Sequence, residues 1–369
     1  MVLLIGYLPN PRMNKRIELE KADFELHLIC WDRAHNMHVP PRENGYRLHT
    51  ITIPALSNPI RREIPYLRFS ARAMKLLREI RPEVIHVQGL DMLKIAVRYK
   101  RRYEGSVRIL YEIPDLHPLQ IDPQDSLVGK LCQRYIWQQD RKYCRQIDRL
   151  IVTSEKFVDA YYGRFVPQEK VFFFPNVPEP EIFADYKKRE CTGALTVGFI
   201  GILLYKKQLL HLLEASEKSG VNVLMAGLEN EPAEVEPVCR SMTNVEWVGR
   251  YDFTKQAAEL YGKCDVIFCV YEVERGNVRI LLPNKLYEAV FCELPIIVAK
   301  GTYLAEIVEQ WGVGVAVDHN SSDEMERVLR RMNEDRDYYR AFVENCRAHK
   351  KDVELAAYNA RLREILLGC

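Results

Sequence analysis

The chain has 369 residues, with 53 Lys+Arg against 51 Asp+Glu and a formal net charge of +2. That length exceeds one ordinary hydrophobic core and fits two domains. No run of about 18 apolar residues is present to span a membrane, no DNA- or RNA-binding motif accompanies the charge, and the ten cysteines form no C-x-x-C pair of the metal or redox kind. The N-terminus, MVLLIGYLPNPRMNKR, carries its charges after its short apolar run, unlike a signal peptide. Reduced, buried thiols in a cytosolic protein are therefore expected.

Short apolar runs at 2–7, 24–31, 46–54, 83–89, 107–113 and 149–154 read as buried strands, with helix-length segments between most of them. Such βαβ alternation predicts a parallel sheet covered on both faces over residues 1–175. Prolines cluster in FFFPNVPEPEIF, and 176–194 reads as a linker. Alternation resumes at 195–201, 222–227, 245–249, 265–271, 294–300 and 312–318, giving a second doubly wound domain over 195–334. Ligands of such sheets bind outside the carboxyl ends of strands, so a cleft between the two domains is the expected site. The helical tail, 335–369, is longer than the second domain needs and is expected to return to the first.

One stretch, LLPNKLYEAVFCELPIIVAKG (281–301), combines a helix start at Pro283-Asn284 with Lys285 and, in the expected first turn, Glu288. Unpaired backbone N–H groups and a lysine favour an anion, and a carboxylate accepts hydrogen bonds from a vicinal diol. Phosphate beside ribose describes a nucleotide. The same residues also suit an N-cap, a solvated lysine and a carboxylate placed for the helix dipole.

Charge is unevenly spread, with 29 Lys/Arg against 20 Asp/Glu through residue 175 and 24 against 31 beyond it. The basic surplus lies in 61–81, 94–103 and 130–145, interleaved with Leu, Tyr, Trp and Ile. That pattern fits helices lying on an anionic membrane surface and fits solvated helix faces equally.

The order PNKLYEA, then LPIIVAKGTYLAEIVEQWGVGVAVD, resembles the donor half of GT-B glycosyltransferases, most closely glycosyltransferase family 4. Glu288-Ala289, Pro295-Ile296-Ile297, Glu306 and Gly312-Val313-Gly314 match the family's order and spacing over about 35 residues. VGFIGILLYKKQLLHLLEA resembles its phosphate segment, with Gly201 and Lys207 in register. LMAGLEN and EWVGRYD resemble loops around the nucleobase. The resemblance thus implies a GT-B fold of two Rossmann-like domains and a donor site built from Gly201, Lys207, Gly227, Arg250, Tyr251, Arg279, Asn284, Lys285, Leu286 and Glu288. Departures are Ile280 where the first Glu of an E-x7-E pair would fall, Ile202 for an arginine, Gln208 for a glycine, and Pro114-Asp115 for a His-Asp pair. Arg279 is the candidate substitute for the missing arginine.

The implied reaction is transfer of a hexose from a nucleoside-diphosphate sugar to a glycan or lipid-linked acceptor, with retention, as in polysaccharide biosynthesis. Acid–base and sugar-recognition candidates are Asp115, Glu112, His117 and Glu272, with Glu274 beside the last and His86 read as a structural histidine. No metal cluster is evident; Asp335 and Asp337 read as surface. No cofactor is expected, because lysines can neutralise the diphosphate as a divalent ion otherwise would. A cytoplasmic protein, peripheral on the inner face of the plasma membrane, would follow. Two other readings stay open: a GT-B nucleotide-sugar epimerase, and a non-catalytic nucleotide-sugar-binding partner subunit.

Overall fold

The structure, a computed structural model, describes residues 1–33, 44–55 and 59–368, and of residues 59–62 the backbone alone. The chain divides into two compact units: Met1–Phe174 with the chain from Tyr358 onward, and Pro175–Ala357.

The first unit holds a seven-stranded sheet. Its strands are β1 (Val2–Ile5), β2 (His27–Asp32), β3 (Arg47–Thr52), β4 (Val84–Gln88), β5 (Arg108–Ile113), β6 (Arg149–Val152) and β7 (Val171–Phe173), in the order β3-β2-β1-β4-β5-β6-β7. Every pairing is parallel. β1 and β4 are buried along their whole length, as strands covered on both faces must be; β1 therefore reads as an unbroken apolar run, whereas β4 carries the buried His86 and Gln88 among its apolar residues. Asn10 caps the first helix, Pro11–Asp23, by accepting from the Met13 N–H, with Pro11 at the position where a missing N–H costs nothing. Leu3, Ile5, Met13, Ile17 and Leu28 form the core between that helix and the sheet.

The second unit holds six parallel strands, β8 (Thr196–Ile200), β9 (Asn222–Ala226), β10 (Val245–Gly249), β11 (Val266–Cys269), β12 (Ile296–Ala299) and β13 (Gly314–Val317), in the order β10-β9-β8-β11-β12-β13. The order reverses between β8 and β11. Its switch point therefore lies where the chain leaves these two strands, the usual place for a ligand in an open α/β sheet.

Three features differ from the expectation. Val171–Phe173 is a seventh strand paired with β6, although prolines follow closely. Residues 176–194 are no free linker: Phe183 is buried against Tyr261 and Phe291, and Tyr186 and Lys188 donate to the Cys292 and Glu293 carbonyls at 2.6 Å. In the tail, the Arg336–Ala348 helix stays on the second unit, where the buried Tyr339 hydroxyl donates to the Asp265 carbonyl at 3.2 Å. Only the chain from Tyr358 packs on the first unit, with Tyr358 against Phe174 and Arg108 donating to the Ile365 carbonyl.

Candidate active site

At the carboxyl ends of β8, β9 and β10 the backbone converges. The Gly201 N–H donates to the Ala226 carbonyl at 2.9 Å, and the Gly227 N–H to the Gly249 carbonyl at 2.8 Å. Both Gly201 (φ +152°) and Gly227 (φ +157°) occupy backbone that L side chains rarely adopt. A Cβ on Gly201 would lie 2.7 Å from the Lys285 ammonium nitrogen. The absent side chain is what lets that ammonium reach the strand tip.

Lys285 comes from the start of the Asn284–Phe291 helix. Its Nζ lies 4.9 Å from the Phe199 ring centroid, 5.8 Å from that of Tyr271 and 3.3 Å from the Tyr271 hydroxyl. Tyr271 stacks on Tyr205 at 4.5 Å and 22°. Aromatic faces hold an ammonium without neutralising it, so the charge stays available at the glycine turn. The first N–H groups of the same helix have no partner within it, which adds a partial positive charge at the same end. Leu286 is fully buried and anchors this turn in the core.

Two details of the helix differ from the sequence reading. Pro283 is the N-cap, without a side-chain cap bond, so Asn284 is the first helical residue; its side-chain oxygen accepts from Asn176 at 2.5 Å. Glu288 is the fifth residue and sits in the second turn, 6% exposed, where it accepts from the buried Tyr261 hydroxyl. Burial, with the charge of Glu288 adding to it, pushes the Tyr251 hydroxyl well above its ordinary pKa.

Lys207 is exposed near the start of the Lys206–Ser219 helix and donates to the Asn320 side chain at 2.7 Å. Its neighbour Lys206 is committed elsewhere, to Glu229 at 3.4 Å and Glu234 at 3.2 Å. Arg250 and Arg279 are exposed. Glu272 is half-exposed and paired with Arg275 at 3.0 Å, and Glu274 contacts His319 at 3.1 Å.

In the first unit, Asp115 and His117 are exposed on the loop after β5. His117 Nδ1 accepts from the Leu119 N–H at 3.1 Å while the His117 N–H donates to Gln120 Oε1 at 2.8 Å, a capping box around Pro118–Ile121. With Nδ1 accepting, the neutral ring carries its proton on Nε2 and presents a donor.

Glu112 is a correction. It is fully buried, held by Arg16 through Nε–Oε2 at 2.9 Å and Nη2–Oε1 at 3.1 Å, and 3.2 Å from His86 Nε2. His86 Nδ1 in turn lies 2.5 Å from Glu20 Oε1, and the Arg16 guanidinium stacks 3.7 Å above Phe174. Burial opposes the Glu112 charge, but Arg16 and His86 outweigh it and hold the carboxyl well below its usual range. Burial likewise opposes a charged His86, but Glu20 and Glu112 push its pKa up to about 9. A carboxylate so enclosed is a structural ion pair and cannot exchange a proton with a substrate.

Sequence reasoning did not find Tyr261, Tyr271, Phe199 or Asn320. The first three look like core residues in strands and helices, and Asn320 arrives from the turn after β13. For Phe199 and Tyr271 the signal was an aromatic residue at or just beyond a strand end; Tyr261 on its helix and Asn320 in its turn gave none.

Two all-parallel Rossmann-like units of this kind define the GT-B fold. Residues 17–177 match the family described as "Glycosyl transferase 4-like domain" and residues 180–349 that described as "Glycosyl transferases group 1". The chain belongs to the GT-B glycosyltransferases of the family 4-like type. Among solved structures, sucrose-phosphate synthase from Thermosynechococcus elongatus matches with a TM-score of 0.72 at 14% identity, covering 100% of this chain and 98% of that one. Anabaena HepE in complex with UDP-glucose matches with a TM-score of 0.69 at 15% identity, covering 100% and 99%. At such identities the likeness is one of fold. The succinoglycan biosynthesis protein ExoL of Rhizobium meliloti (strain 1021) is 24% identical over 262 residues, a match spanning 68% of this chain and 64% of that protein, less than two thirds of its length.

Proposed function

We propose that this protein transfers a hexose from a nucleoside-diphosphate sugar to a glycan or lipid-linked acceptor, with retention and without a metal ion, in assembly of a polysaccharide. The observation that carries the reading is Lys285 Nζ set against the Gly201 turn, on the helix that also bears Glu288. Lys285 and the helix N–H groups stabilise the diphosphate as the anomeric carbon–oxygen bond breaks. Lys207 and Arg279 supply further positive charge, Glu288 binds the ribose diol, and Gly227, Arg250 and Tyr251 surround the base. Asp115 and His117 orient the acceptor, whose hydroxyl oxygen bonds to the anomeric carbon as its proton passes to the departing diphosphate oxygen. The UDP-glucose complex of HepE supports a nucleotide-sugar donor. ExoL supports the polysaccharide context, and a cytoplasmic donor supply would suit it.

A calorimetric screen of UDP-, GDP- and ADP-sugars tests the donor site, and nucleoside-diphosphate release with and without acceptor tests the reaction. Saturable binding of one donor class, with release that requires an acceptor, is expected. Release without acceptor would point to the epimerase reading. Binding without any turnover would leave a nucleotide-sugar-binding subunit.

A further inference from the structure

In the first unit the strand order reverses between β1 and β4. The carboxyl ends of these two strands are therefore its ligand-binding edge. Gln88 closes β4 there, in register with Ile5 of β1 on one side and Glu112 of β5 on the other. It is 5% exposed, and neither its amide nitrogen nor its amide oxygen has a hydrogen-bond partner. A buried amide left unsatisfied costs stability, and because both its atoms are unmet the finding holds whichever way the amide is turned. One residue on, the chain turns at Gly89 (φ +85°), where a Cβ would meet nothing within 4 Å. The edge is open at that point.

Alternation along β4 puts Gln88 on the same face as His86, and His86 touches Glu20 of the Pro11–Asp23 helix. Four residues of helix climb ~6 Å, close to the ~6.6 Å of two strand residues. Glu20 thus stands level with His86, Arg16 grips Glu112 level with Gln88, and Arg12 stands one turn beyond, over the strand ends. The Arg12 Nε is buried without a partner, and no carboxylate among the described residues forms an ion pair with that side chain. Arg12 is the second residue of a helix whose first turn holds no acid, so its charge sits uncompensated at the positive end of the dipole. Burial pushes the Tyr7 hydroxyl well above its ordinary pKa; Glu112 adds to that and Arg12 opposes it, which sets Tyr7 between the two.

We propose that this edge binds an anionic sugar of the acceptor: Arg12 pairs with its carboxylate or phosphate oxyanion, and the Gln88 amide donates to and accepts from its hydroxyls. An oxyanion relieves a cation placed at a helix N-terminus, and a hydroxyl, both donor and acceptor, satisfies both ends of an amide. Unmet groups of this kind are expected where a ligand completes them. The inference rests on the transfer reading only in calling the bound sugar the acceptor; the binding itself needs no donor.

The test is saturation-transfer NMR and calorimetry of the full chain, without donor, against methyl glucuronide, glucose 6-phosphate and methyl glucoside. At least one anionic sugar should bind tenfold or more tighter than the glucoside. Binding of the glucuronide assigns a uronate-bearing acceptor, and binding of the sugar phosphate a phosphate-bearing one. Arg12→Met should reduce that binding to the level of the glucoside, Arg12→Lys should keep part of it, and Gln88→Leu should weaken it about tenfold. Because Gln88→Leu also removes two unsatisfied buried atoms, it should raise the melting temperature of the ligand-free protein by about 2–4 °C. A purely structural Gln88 predicts the opposite sign. The proposal is overturned if no sugar binds, if the glucoside binds as tightly as the anionic sugars, or if Arg12→Met and Gln88→Leu bind like the wild type. It is overturned equally if Gln88→Leu lowers the melting temperature and leaves binding intact. Anionic-sugar binding that needs Arg12 and Gln88, in a protein that binds no nucleotide sugar, would sink the transfer reading and leave this site standing.

Discussion

Gly227 lies so close to Gly201 that a Cβ built on it would fall 1.8 Å from the Gly201 carbonyl oxygen. The two strand ends are therefore in backbone contact, and the turn that Lys285 addresses depends on it. Gly227→Ala must either move the Gly201 turn or strain a φ of +157°. Overpacking and the unfavourable φ together should lower stability by roughly 2–4 kcal/mol and displace the phosphate turn. Urea denaturation with donor calorimetry reads both. A variant with native stability and native donor affinity would show that the contact is immaterial.

Glu288 and Tyr261 give a second prediction. If Glu288 accepts from the ribose diol, Glu288→Gln should weaken nucleotide binding by roughly 1.5–3 kcal/mol, the scale of a hydrogen bond to a charged group. Tyr261→Phe removes a donor from this nearly buried carboxylate and should cost about 1–3 kcal/mol of stability. Full nucleotide affinity in a folded Glu288→Gln protein would return Glu288 to a purely structural role.

The strands were legible because a parallel sheet buried on both faces needs apolar residues without alternation, as in β1 and β12. Val171–Phe173 was harder, since its three residues run into the prolines at 175, 178 and 180, and punctuation outweighed so short a run. The misreading of Glu112 has a different origin. A carboxylate near a strand end looks catalytic until Arg16, 96 residues earlier, is seen to clamp both its oxygens. Lys285 was legible as a cation at a helix start, but not the Phe199 and Tyr271 rings that position it, because no sequence pattern separates such rings from core.

The buried group of Arg16, Glu20, His86 and Glu112 predicts the pH dependence of the first unit. His86 is pushed up to about 9 when folded, so its contribution is fully present below the ordinary value of about 6.5 and is lost as pH rises through 9. Glu112 is lowered, so its contribution is present above the ordinary carboxyl range and is lost only as pH falls below it. Stability should peak between about pH 5 and 6.5 and fall by on the order of 2–3 kcal/mol toward pH 9.5. Arg16→Met, which leaves Glu112 buried without its main partner, should cost about 3–5 kcal/mol at pH 6. Thermal melts across pH for wild type and His86→Gln check this, and an alkaline slope unchanged in the variant would assign it to other groups.

The last prediction separates protein cations from a metal ion in neutralising the donor diphosphate. Lys285 is held between two rings and at 3.3 Å from the Tyr271 hydroxyl, so its position is set before ligand arrives. Lys207 is exposed and held by a neutral amide, so its charge is screened by salt as that of Lys285 is not. Lys285→Met should therefore weaken nucleoside-diphosphate binding by about 1.5–3 kcal/mol at any ionic strength. Lys207→Met should cost about 0.5–1 kcal/mol at low salt and less at high salt. Tyr271→Phe should fall between them, because it frees the ammonium from one anchor without removing its charge. All four proteins should bind the same in EDTA as in Mg²⁺ if the lysines do the neutralising. Calorimetry in the two buffers decides: wild-type binding that disappears in EDTA and returns with Mg²⁺ or Mn²⁺ would hand the diphosphate to a metal ion and leave Lys285 an auxiliary charge.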